Sequence, residues 1–170
     1  MDQLINLIVF VVATAATVVA LLAAINLLLP EAIQKVHRNL ENSLGRSTLL
    51  GLVNFLFLGV LIGLSVWLAD TFGDIFGVIF GSLAVLIGIG MIILTFLGLV
   101  AFANLLGSRI GDDSSSPFKI NLRGGVLLVL AGIAPYVGWL IFTPLVVWTG
   151  LGAAIQAFLP RRKVSVPVEE

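Results

Sequence analysis

Apolar residues fall into four long runs, 4–29, 48–69, 75–107 and 124–159, and polar positions gather between them, at 30–47, 70–74 and 108–123. Each run is long enough to cross about 30 Å of hydrocarbon at 1.5 Å per residue. The runs are continuous and do not alternate, which argues against a membrane β-barrel. The pattern predicts an all-α integral membrane helical bundle of about four segments, forming one domain over 1–159. The stretch 160–170, "PRRKVSVPVEE", reads as a polar extended tail, because two prolines and several β-branched residues disfavour helix.

The first polar stretch has a period of its own. Within "PEAIQKVHRNLENSLG", Ile33, Val36, Leu40 and Leu44 recur every three or four positions, with Gln34, Lys35, Arg38, Glu41 and Asn42 on the other face. Pro30 suits a first helical turn and Gly45 an end. One reading is an amphipathic helix over about 31–44 lying at the membrane interface, with Lys35, Arg38 and Arg46 as candidate contacts for anionic lipid headgroups. The other reading is a polar elbow between two spans.

The run 124–159 is too long for one ordinary span, roughly 54 Å as a straight helix. "GIAPYVGW" interrupts it. Pro135 removes a backbone hydrogen bond and disfavours helix at Ala134, and Gly138 adds conformational freedom. The predicted structural break is therefore at Pro135 and Gly138, and its two arms form either a kinked single span or a hairpin. Charge separates the alternatives. Lys35, Arg38 and Arg46 lie in the first connection and Arg109, Lys119 and Arg123 in the third, while the second holds Asp70 and Asp74. By the positive-inside bias, the first and third connections are cytoplasmic and the N-terminus is outside. Arg161, Arg162 and Lys163 join the inner side only if the chain turns back, so a hairpin is expected. Its broken backbone should be buried in the bundle, with Tyr136 and Trp139 donating to carbonyls freed by Pro135. The run 75–107 is expected to tilt or bend at its glycines, and "GVIFG" at 77–81 has the spacing for close helix packing.

Composition sharpens the class. The chain is 59% hydrophobic and 11% charged, with a mean hydropathy of +1.17; a soluble domain carries about 25% charged residues. A net charge of zero gives no field to draw nucleic acid. Cysteine is absent, which removes disulfides and thiolate chemistry, and the single histidine, His37, cannot form a haem site of two histidines. The N-terminus carries no basic residue ahead of an overlong apolar run, so it reads as a retained span and not a signal peptide.

Ionisable residues inside hydrocarbon are costly and functional, and none falls within the four runs. No catalytic residue, metal ligand or cofactor is therefore assigned. His37 is expected to be solvated, and Asp70 and Asp74 to form a solvated turn. Asn6, Asn26, Asn104 and Gln156 lie near run ends, where interfacial water can satisfy them. Asn54 lies deeper and is expected to bond across helices.

Two passages carry a family resemblance. "LLLPEAIQKVHRNLENSLGRSTLLGL" at 27–52 and "GVLLVLAGIAPYVGWLIFTPLVVWTGLGAAI" at 125–155 resemble a bacterial polytopic membrane domain of unknown function, found C-terminal in bactofilin-like, polymer-forming cytoskeletal membrane proteins. The chain departs from that domain in lacking a proline near Leu58 and Gly59, and with no soluble domain ahead of the first span, filament formation is not carried over. The resemblance implies a multi-pass protein of the bacterial cytoplasmic membrane and supplies no catalytic residues. The expected function is a non-enzymatic scaffold, anchor or accessory subunit whose partners are the lipid bilayer and either another protein or further copies of itself, with no nucleic acid. The alternative is a small channel or carrier subunit formed by oligomerisation.

Overall fold

The computed structural model describes residues 1–110, 116–134 and 136–158, and all regular structure among them is helical. The order is α1 (Asp2–Leu28), α2 (Pro30–Asn42), α3 (Leu44–Phe72), α4 (Asp74–Ile110), α5 (Pro117–Ile133), a π-helical turn (Gly138–Phe142) and α6 (Thr143–Phe158). Four stretches are long and apolar enough to cross a membrane: α1, α3, α4 and Gly138–Phe158. The molecule is a multi-pass helical membrane bundle.

The helices outrun the apolar segments. α3 takes in Arg46 and Ser47 ahead of its apolar run, and α5 starts at Pro117 instead of near 124, so Lys119 and Arg123 are helical. Hydropathy marks where lipid ends, whereas backbone hydrogen bonding continues until a residue stops it. The stops are single residues: Leu29 between α1 and α2, Ser43 between α2 and α3, and Gly73 between α3 and α4. At the last, Gly73 (φ 51°) and Asp74 (φ 43°) both take left-handed backbone and reverse the chain within one turn.

The amphipathic helix forms, but its apolar stripe meets protein. Ile33, Val36 and Leu40 are buried in one cluster with Leu97, Val100 and Ala101 of α4 and Ala153 and Ala154 of α6. α2 thereby closes one end of the bundle and is neither a loose elbow nor a helix that buries its apolar stripe in lipid.

That end is held by close backbone approaches. A Cβ on Gly51 would collide with the Trp148 carbonyl, one on Gly152 with the Ser47 carbonyl, and Gly98 and Gly150 face each other backbone to backbone. A third crossing pairs Gly107 and Gly124 with the carbonyls of Ile120 and Ala103. Such contacts let membrane helices gain dispersion energy where lipid offers no hydrophobic drive. "GVIFG" does less: a Cβ on Gly77 would lie 2.9 Å from the Ala69 carbonyl oxygen, but Gly81 faces open space.

These crossings fix directions. α6 runs antiparallel to α3, and α5 starts beside the C-terminal part of α4, so α5 and α6 point opposite ways. Phe158 lies with Leu28, Leu29, Pro30 and Lys35 around one cavity, at the end where α5 begins. The arms Pro117–Ile133 and Gly138–Phe158 run antiparallel, the hairpin arrangement expected from the sequence.

The hairpin is short. About 18 Å of helix separates Gly150 from Gly138, whereas about 36 Å separates Gly98 from Asp74 and about 32 Å separates Gly51 from Phe72. Its tip reaches little more than half the height of the α3–α4 pair. Above that level packing is sparse: residues 2–18 of α1 are exposed except for partly buried Ala15.

Candidate functional site

The backbone is irregular on both sides of the predicted break at Pro135. α5 ends at Ile133, Ala134 is extended (φ −58°, ψ 118°), and Tyr136 takes φ 63°. Pro135, the residue expected to cause it, lies outside the described residues, as do Arg161, Arg162, Lys163 and the tail 160–170. Gly138 is needed for a reason other than backbone freedom. Its Cβ position is filled by the Ala131 carbonyl, with the Gly132 carbonyl at 3.0 Å, so the second arm can fold tightly over the end of α5 only without a side chain there. The left-handed residue is Tyr136.

Beyond the tip the helix is widened into a π turn. Pro144 accounts for this. It has no N–H to bond the Leu140 carbonyl, and its ring crowds that oxygen. The ladder shifts by one, so that the Thr143 N–H donates to the Gly138 carbonyl, and Thr143 Oγ1 donates to the same oxygen at 2.8 Å. The expected bonds from Tyr136 and Trp139 to carbonyls freed by Pro135 are not seen among the described residues, and Thr143 serves a carbonyl of the π turn instead. The Tyr136 and Trp139 side chains point outward, 80% and 75% exposed, and no described residue covers them. Pro144 was the sequence signal for the π turn.

Polar side chains gather at the closed end. Asn121 Nδ2 donates to Asn104 Oδ1 at 2.8 Å, and Asn104 Nδ2 to Asn26 Oδ1 at 2.9 Å, linking α5, α4 and α1. Asn26 and Asn104 thus serve each other and not interfacial water alone. Asn121, outside every apolar run, is only 1% exposed, and its Oδ1 has no hydrogen-bond partner among the described residues. A second group joins α2, α3 and α6: Thr48 and Thr149 hydroxyls at 2.8 Å, Gln156 Nε2 to Ser47 Oγ at 3.4 Å, and Asn39 Nδ2 to the Ala153 carbonyl at 3.5 Å. Asn54 bonds within its own helix, to the Leu50 carbonyl at 2.8 Å, and not across helices. His37 is part-buried, with Nε2 3.2 Å from Glu41 Oε1 and Nδ1 3.4 Å from the Ala101 carbonyl oxygen, so it is a packing group and not a freely solvated one.

Lys35, Arg38 and Arg46 are all exposed. They sit on α2 and the first turn of α3, at the end where α4 and α6 finish and α5 starts. Among the described residues no three His, Asp or Glu side chains group as metal ligands would. No family model, curated protein or solved structure matches the chain.

Proposed function

We propose that the chain is an anchor or accessory subunit of a membrane complex, without enzymatic chemistry of its own. In this reading it sits in a bacterial cytoplasmic membrane, with the closed end inside and the N-terminus outside. Lys35, Arg38 and Arg46 then face anionic headgroups, each basic group near such a surface contributing about 1 kcal/mol. The observation that carries the reading is the contrast between the two halves. One end is packed backbone to backbone, while in the other half Gly59, Gly63, Gly81 and Gly88 present open space on long apolar helices. Close-approach positions left open within one chain suit helices supplied by a partner. The resemblance to the membrane domain of bactofilin-like proteins favours the same role. A photo-crosslinker at Val60 or Val78 in intact membranes should trap one discrete protein adduct, either another protein or a second copy. Lipid adducts alone at both positions would contradict the reading.

A second reading is a small channel or carrier subunit, favoured by the half-height hairpin, since broken helices build transport sites. Selective, saturable solute flux in liposomes holding only this chain would decide for it.

A further inference from the structure

The closed end contains a cavity of about 420 Å³ between α1, α2, α4 and α5. Asn26, Gln34, His37, Asn104 and Ser108 give it a polar side, and Leu27, Ile33 and Phe118 are among its apolar walls. Among the described residues no Lys, Arg, Asp or Glu lines it, and His37 is engaged by Glu41. A second cavity, of about 510 Å³, runs between α1 and α5, and its described lining is apolar, from Val12 to Ala23 on one helix and from Phe118 to Ile133 on the other. Phe118 lines both. On α1, Ala16, Val19, Ala23 and Asn26 follow at three- and four-residue steps, so one helix face leads from the apolar groove into the polar cavity.

We infer that this continuous groove holds a single lipid, an uncharged hydroxyl-bearing headgroup in the cavity and one acyl tail along α1 and α5. The tail path from Phe118 to Ile133 is about 22 Å, longer than one leaflet's half of a 30 Å hydrocarbon core. The headgroup follows from the amides. The chain of Asn121, Asn104 and Asn26 can run in either hydrogen-bond sense, leaving Asn26 to offer the cavity either an N–H or a carbonyl oxygen. Gln34 offers both, and Ser108 Oγ, which donates to the Leu105 carbonyl at 3.0 Å, can still accept. A hydroxyl donates and accepts, so it answers every arrangement, and the described lining offers a charged headgroup no ionic partner for the solvation it would lose.

The full chain, reconstituted in phosphatidylcholine vesicles, tests this with three trace lipids carrying the same diazirine-bearing tail: diacylglycerol, phosphatidylcholine and phosphatidylglycerol. Diacylglycerol should label the 12–23 and 118–133 peptides about threefold or more above the other two, the scale of one net hydrogen bond. Gln34→Leu, on an exposed position, should abolish that preference while leaving thermal stability unchanged, and Ala16→Trp should block labelling of the groove by all three. Excess free glycerol should not compete. Equal labelling by the three lipids, preferential labelling by phosphatidylglycerol, or a protein–protein adduct in place of lipid would each overturn the inference. Displacement by glycerol would overturn the lipid and leave a soluble polyol as the occupant.

Discussion

Gly51 has no room for a side chain, whereas Gly59, about two turns further along α3, faces open space. Gly51→Ala drives a methyl into the Trp148 carbonyl and is expected to cost at least the 1–3 kcal/mol typical of overpacking. Gly59→Ala removes backbone freedom without a clash and should be neutral or stabilising by up to about 1 kcal/mol. Thermal unfolding in detergent separates the two, and similar melting temperatures would refute the α3–α6 crossing. A second pair concerns amides. Asn104→Leu strands Asn26 and Asn121 and should cost about 1–3 kcal/mol, while Asn54→Leu loses only an intrahelical bond and should fall within about 0.5. Equal losses would mean that the three amides do not cooperate. None of these distinctions was legible in the sequence. Glycine and asparagine are visible there, but which ones face another backbone depends on crossing geometry that one-dimensional spacing does not carry.

At the scale of elements, α2 was legible because its stripe repeats at helical spacing, yet the same stripe fits lipid or protein equally well. Burial decides for protein. Leu40→Asp places an unpaired charge among α4 and α6 and should lower folded yield severely, by several kcal/mol, whereas Asn42→Asp on the exposed face should be close to silent. Asn39 is polar but buried against Ala153, so Asn39→Asp belongs with the damaging changes. Size-exclusion profiles of the three variants check the order, and a silent Asn39→Asp would contradict the α2–α6 contact. The hairpin offers a matching test. Gly138→Ala meets the Ala131 carbonyl and should lower the melting temperature, while Gly132→Ala, with open space at its Cβ, should not.

For the whole molecule, four long apolar runs foretold the class, and unequal placement of Lys and Arg led to the expectation that the last run turns back. The height of that hairpin was not foretold, because residue counts fix a helix's length and not where it crosses its neighbours. Its depth follows from Gly98 and Gly150 meeting at one level, with the tip about 18 Å above them. Set in a 30 Å core with Arg46, Arg123 and α2 at one boundary and Asp70 and Asp74 at the other, the tip lies inside the hydrocarbon. The central claim is that the chain re-enters and leaves by the side it came from. The absence of cysteine allows a direct measurement: single thiols at Glu41, Thr71 and Ser165, probed with a membrane-impermeant reagent from each side. Seven residues beyond Phe158 span at most about 25 Å, too little to cross a 30 Å core. Ser165→Cys should therefore label from the same side as Glu41→Cys and the side opposite to Thr71→Cys. Labelling of Ser165→Cys together with Thr71→Cys would make the last segment a single kinked span and contradict the hairpin.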